Sequence, residues 1–216
     1  DATKEPGRGI TQTLNYFQDS TYGERRRTYL KNATNILVNH IKMLRDSWDP
    51  NDNNSYYYHF INDQNALKKM ITGFASFAKN ELAAERFNGI DTRDQEDEHS
   101  CFSDTTNQDF YYNIQGIKIF FTGDYNGEEG PGIDSISGSY SKRILNHLNK
   151  ALEVMNPDNA PVYDVVIVPN APGRTPEHEE QYQKIKFDIR PSLNNVGFDF
   201  VEIGESLGFN IVPQIP

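Results

Sequence analysis

The residues best equipped for chemistry are concentrated in Asp94-Gln-Glu-Asp-Glu-His-Ser-Cys-Phe-Ser-Asp104 and its continuation Thr105-Thr-Asn-Gln-Asp109. These sixteen residues hold six carboxylates, one histidine, two serines and the chain's single cysteine. Carboxylates are costly to bury and easy to hydrate, so the default place for such a run is a solvated loop. Held in a cleft between helices, the same oxygens and one imidazole would make a ligand set for a hard cation such as ferric iron, calcium or magnesium. Elsewhere, His40, His59, His147 and His178 have no metal-binding spacing, and His-Glu-x-x-His is absent. Cys101 as a nucleophile would need a base and a field that favours thiolate. Its acidic neighbours do the opposite, and the expectation is a cysteine buried beside Phe102.

The elements that must position this run read as helices. Residues 1 to 22 lack clear periodicity and are expected to form a lead-in loop, with a helical domain over 23–216. From Gly23 to Trp48, the residues Leu30, Ala33, Leu37, Ile41, Leu44 and Trp48 recur at three- and four-residue steps, one face of a long helix that Asp49-Pro50 ends. A second helix is expected from about Asn62 to Asn88, with Asn62 or Asp63 as N-cap. A third starts near Ser103 to Thr106, carries Phe110, Ile114, Ile117 and Phe121, and stops at Gly123. Residues 123–132 are a glycine-rich connector, and a fourth helix spans about 135–156, marked by Ile136, Tyr140, Ile144, Leu148, Leu152 and Met155. Val162 to Val168 has strand propensity, but one short run builds no sheet, so an extended or short helical piece packed on the bundle is expected. The last helix runs from Pro176 to about Leu207, interrupted or bent at Pro191. The fold class is all-α, an up-down helical bundle.

Composition sets limits. The chain of 216 residues has 31 acidic and 21 basic side chains, a formal charge of -10, which disfavours attraction to nucleic acid or anionic lipid. No apolar run approaches the roughly 18 residues of a membrane span, and the polar start Asp1-Ala-Thr-Lys-Glu-Pro shows no signal peptide, so the chain is expected to be cytoplasmic or already processed.

Gly23-Glu-Arg-Arg-Arg-Thr-Tyr-Leu30, Leu82-Ala-Ala-Glu-Arg86, the acidic block 94–104 and Gln115-Gly-Ile117 together resemble the C-terminal half of the imelysin family, over about residues 6–210. The resemblance implies one half of a two-bundle fold, a periplasmic or other extracytoplasmic lipoprotein, and a role in bacterial iron uptake, with iron or another divalent cation as ligand. It also brings a peptidase label from proteins described as insulin-cleaving. Family members carry Gly-x-His-x-x-Glu in the N-terminal half, and that motif does not occur here. The chain thus looks like half of the usual protein: a cleaved product, one of two polypeptides, or a truncated relative. Its implied partner is an N-terminal half bearing that motif, and attachment to a membrane would run through an anchor upstream.

Carried over by position, the resemblance implies ligand-binding roles for Arg86, Glu96, Asp97, Ser100, Ser103, Asp104 and Asp109, metal-binding roles for Glu98 and His99, and no catalytic residue in this chain. Where relatives often read Ser-Asp-Asn-Thr-His-x-Asp, this chain has Ser103-Asp-Thr-Thr-Asn-Gln-Asp109, so Thr105 and Asn107 stand in place of Asn and His. Plainer readings stand beside these. His99 reads equally as a hydrogen-bonded loop histidine. In an extended loop Glu96 and Glu98 would face one side and Asp97 the other. Ser103 and Asp104 read as caps of the third helix as well as ligands, and Arg86 as a counter-ion to the loop. Three classes of function follow: a protein binding iron or an iron-bearing ligand, a metallopeptidase, and a structural module whose acidic loop docks a partner.

Overall fold

The structure is a computed structural model that describes residues 8–101, 103–161 and 163–214. Among the described residues the fold is all-α apart from one hairpin of two-residue strands, and it divides into two compact units, Arg8–Lys69 and Met70–Pro216. No helix among the described residues is long and apolar enough to cross a membrane.

The first unit begins with α1 (Arg8–Gln18), where a loop is expected from sequence. Ile10, Leu14 and Phe17 sit at four- and three-residue steps, a helical period too short to stand out. Residues 1–7 of that expected loop lie outside the described residues. The long α2 (Gly23–Asp46) returns along α1, and the arginine run explains the turn. Arg26 donates to the Tyr16 carbonyl (3.0 Å) and Arg27 to that of Phe17, satisfying acceptors that the end of α1 leaves open. The short α3 (Tyr56–Ile61) is capped by Ser55, whose hydroxyl accepts from the Tyr58 N–H at 3.1 Å.

The apolar row of α2 is exposed. Leu30, Leu37, Ile41, Leu44 and Trp48 all remain in solvent, with Leu37 at 58% of its full exposure. Periodicity marks which face is apolar but does not supply the element that covers it.

The helix expected over 62–88 starts later and is not regular. Asp63 forms a turn, accepting from the Asn65 N–H (2.8 Å), and α4 begins only at Ala66. After Ser76 it widens into a π-helical stretch, Phe77–Arg86, closed by Phe87 N–H to Leu82 C=O at 3.1 Å. α5 (Asn88–Thr92) follows. α6 (Thr106–Thr122) ends in left-handed Gly123 as its sequence implies. The connector makes a tight hairpin, Asp124–Tyr125 against Glu128–Glu129, turned by Asn126 and Gly127, both at positive φ. A 3-10 turn at Ile133–Ile136 precedes α7 (Tyr140–Met155), so the fourth helix starts later than expected and Ile136 is exposed.

Residues 162–168, ambiguous in sequence, contain a five-residue helix, α8 (Tyr163–Ile167), all of it buried. Thr175 and His178 form a reciprocal cap at the start of α9 (Pro176–Lys184). A single π turn, Ile185–Ile189, joins it to α10 (Arg190–Ser206). Pro191 has no N–H and crowds the carbonyl four residues back, and the wide turn just before it absorbs that misfit.

The core of the Met70–Pro216 unit lies where α10 meets the π stretch, with α6 and α7 against it. Ile71, Leu82, Phe110, Ile114, Ile117, Phe121, Ile144, Leu148, Leu193, Val196 and Phe200 are fully buried. Each contributes about 1.5–3 kcal/mol of transfer free energy. Phe87 stacks on Phe110 at 3.9 Å, and Phe74 on Phe120 at 3.6 Å. Gly197 permits the close crossing, because a Cβ there would stand 2.5 Å from Lys79 Cβ.

Candidate functional site: a buried carboxylate cluster

Two elements of the Met70–Pro216 unit meet to build the site: the acidic loop between α5 and α6, and the short helix α8. The loop starts at Arg93, in left-handed conformation at φ 54°. Its backbone then folds into a 3-10 turn, Gln95–Asp97, capped by Asp94 accepting from the Glu96 N–H at 3.0 Å. This turn replaces the expected alternation: Glu96 and Asp97 are both exposed, whereas Gln95 and Glu98 are buried, Glu98 to 6% of its full exposure. Gly89 of α5 makes the close approach possible, since a Cβ there would come within 3.0 Å of the Asp97 carbonyl oxygen.

Thr106, first residue of α6, ties the loop from the other side. Its hydroxyl donates to Glu98 Oε2 (2.9 Å) and accepts from the Ser100 N–H (3.1 Å). Ser100 in turn donates its hydroxyl to Asp109.

α8 is too short to satisfy its own carbonyls, and two arginines do so. Arg93 donates to the Ile167 oxygen (2.9 Å), and Arg174 reaches those of Val165, Val166 and Val168. Both guanidiniums also hold Glu179, at 2.9 and 2.5 Å. Hydrogen bonds from Gln183, Arg93 and Arg174 bring the Glu179 carboxyl down to about 2. Fixed this way, α8 presents Asp164, 2% exposed, to the loop, where Gln95 Nε2 donates to its Oδ2 at 2.5 Å.

Carboxylates therefore gather. Glu98, Asp104 and Asp164 each offer an oxygen within 4.8 Å of the others, the one such grouping of potential metal ligands among the described residues. Two unit charges at that separation repel by about 3–4 kcal/mol at an effective dielectric of about 20. Burial first, then the facing Asp164, pushes Glu98 up to about 9, so without a cation it holds a proton at neutral pH. That proton lets Glu98 hydrogen-bond to Asp164, while two other buried polar atoms, Asn107 Oδ1 and the Tyr163 hydroxyl, have no hydrogen-bond partner among the described residues. The Tyr163 hydroxyl, buried and near Glu98, is pushed well above its ordinary range.

The other sequence-selected residues fall around this centre. His99 is half-buried with Nδ1 unpartnered, its ring 5.8 Å from that of Phe110, and it stands outside the trio. Ser103 is exposed and bonded to Thr105 (2.7 Å). Neither Ser103 nor Asp104 caps α6. Thr105 is the N-cap residue and makes no side-chain cap bond, while Asp104 takes a left-handed conformation at φ 56°. Arg86 does not neutralise the loop; it pairs with Glu81 of its own helix at 2.6 Å. Cys101 is half-buried rather than buried, its thiol raised by burial and by the Glu96 and Glu98 charges, and Phe102 lies outside the described residues. Asn107 takes up its buried place by donating to the Pro161 carbonyl.

Sequence reasoning missed Asp164, Gln95, Thr106 and the Arg93–Arg174–Glu179 clamp. A signal for Asp164 was present: one carboxylate inside the apolar run Val162-Tyr-Asp-Val-Val-Ile-Val168, where burial demands a partner.

No curated protein matches the chain. Residues 8–183 match the family described as imelysin, a span that takes in both the acidic loop and α8 and more than half of the sequence, so the chain belongs to the imelysin family.

Proposed function

We propose that this is an extracytoplasmic imelysin-like protein of bacterial iron uptake, which binds iron or an iron-bearing ligand at the loop 94–109. One observation carries the reading: carboxylate oxygens of Glu98 and Asp104 in that loop converge with one of Asp164 in α8, Glu98 and Asp164 being buried. Carboxylate oxygens suit ferric iron, and a net charge of -10 draws cations toward them. The pocket is shared with an N-terminal half bearing Gly-x-His-x-x-Glu, as a separate chain or cleavage partner, and membrane attachment runs through a lipid anchor upstream. The exposed apolar row of α2 supports such a partner, because it offers a helical face still to be covered.

The test is to titrate chelator-treated protein with ferric citrate and count bound iron by elemental analysis. Near-stoichiometric iron, with affinity reduced at least tenfold in Glu98→Ala and helicity retained, is the expected result. Failure of the unaltered chain to retain iron, alone and with the N-terminal half supplied, overturns the reading. The metallopeptidase alternative needs a Lewis acid with an open position and a base that activates water. Metal-dependent cleavage of an insulin chain, lost in Glu98→Ala, would put it in first place.

A further inference from the structure

We infer that Glu98, Asp104 and Asp164 together form an all-oxygen site for a hard cation, with α8 supplying the ligand that closes it. The inference deepens the proposed function and rests on it only in taking the acidic loop as the binding region; Asp164 and the exclusion of His99 from the ligand set are additional.

Three observations converge. The three carboxylates come from separate positions, two in the loop and one 60 residues further on in α8, yet offer oxygens within 4.8 Å of each other. Two of them, Glu98 and Asp164, are more than nine-tenths buried, where a solvated acidic patch has no reason to be. Beside them the Tyr163 hydroxyl, itself 2% exposed, has no hydrogen-bond partner among the described residues, while the Thr106 hydroxyl is used by Glu98 and Gln95 Nε2 by Asp164. A buried hydroxyl left unpaired is costly, and this one lies near Glu98, where a bound ion and its water would give it a partner.

The donor chemistry selects the class of ion. Oxygen-only ligation suits calcium, magnesium, manganese and ferric iron, and is poor for copper(I) or for a thiolate-type zinc site. The arginine clamp fixes the carbonyl end of α8 and leaves Asp164 facing the loop, so the site is held by the scaffold rather than by the ion.

Asp164→Asn separates a binding role from a structural one. An asparagine can still accept from Gln95 and from protonated Glu98, so it keeps the metal-free contacts while removing a charged ligand. Calorimetric titration of the chelator-treated chain with Mn2+, Ca2+ and ferric citrate should show one site. In Asp164→Asn, affinity should fall at least tenfold while the melting temperature without metal is retained. Asp104→Asn, at the more accessible corner, should also weaken binding at least tenfold and guards against a folding defect at position 164. Unchanged affinity in both variants, with Glu98→Ala still defective, overturns the trio and leaves the iron-binding reading standing. No cation bound by the unaltered chain overturns both.

Discussion

Asp199 and Asp164 lie about equally deep in the Met70–Pro216 unit, 3% and 2% exposed, and are treated in opposite ways. Asp199 of α10 is gripped through both oxygens by the Arg143 guanidinium of α7, with Nε at 2.9 Å from Oδ2. Its charge is neutralised on the spot, and two helices are fastened together. Asp164 is faced by another carboxylate, Glu98, and receives a neutral amide from Gln95. The two arginines at the end of the same short helix, Arg93 and Arg174, direct their donors to its carbonyls and to Glu179. A fold that neutralises one buried aspartate with a guanidinium and sets another against a second carboxyl group separates a structural ion pair from a place kept for something else.

The largest effect should come from pH. In chelator-treated protein the folded chain holds the Glu98 proton up to about 9, whereas the exposed group releases it near 4.5. Between those values the folded state binds more protons than the unfolded one. Its contribution is therefore full below about 4.5 and is lost as pH rises toward 9. Urea denaturation at a series of pH values should show this fall, and Asp164→Asn should flatten it. Stability that climbs with pH across the window would erase the contrast. Next in size is Arg143→Ala, which strands Asp199. Breaking a buried pair from one side costs about 3–5 kcal/mol, and because Arg143 is half exposed about 2 kcal/mol is expected from denaturant midpoints, with no change in cation affinity. The smallest effect belongs to Lys150–Asp188, 3.3 Å apart with both side chains about half exposed. Lys150→Ala should move stability by less than about 0.5 kcal/mol, which sets the background for the other two.

How much was legible in the sequence depended on whether neighbours in the chain or distant contacts decide a residue's place. α6 could be read nearly to the residue, because Phe110, Ile114, Ile117 and Phe121 all face the core and Gly123 closes the helix locally. The same reasoning marked the apolar face of α2 correctly and said nothing of its exposure, since a period names a face and not its partner. The wide turns left no mark, because they answer to packing against α10 and to Pro191. At the site, the block 94–109 announced itself through composition, but which of its carboxylates go inward is decided by the 3-10 turn at Gln95 and by Gly89. Asp164 belongs to the site through contacts across some 60 residues of chain, which no local pattern records.

The single π turn at Ile185–Ile189 also bears on how such a sequence can change over time. Adding or removing one residue in a regular helix turns everything beyond it by about 100° and carries a core face into solvent. A wide turn holds the surplus residue as a local bulge, so the flanking helices keep their phase. Between α9, whose Glu179 anchors the arginine clamp, and α10, whose Asp199 holds α7, the chain thus contains a point where its length can vary by one residue while both faces stay aligned.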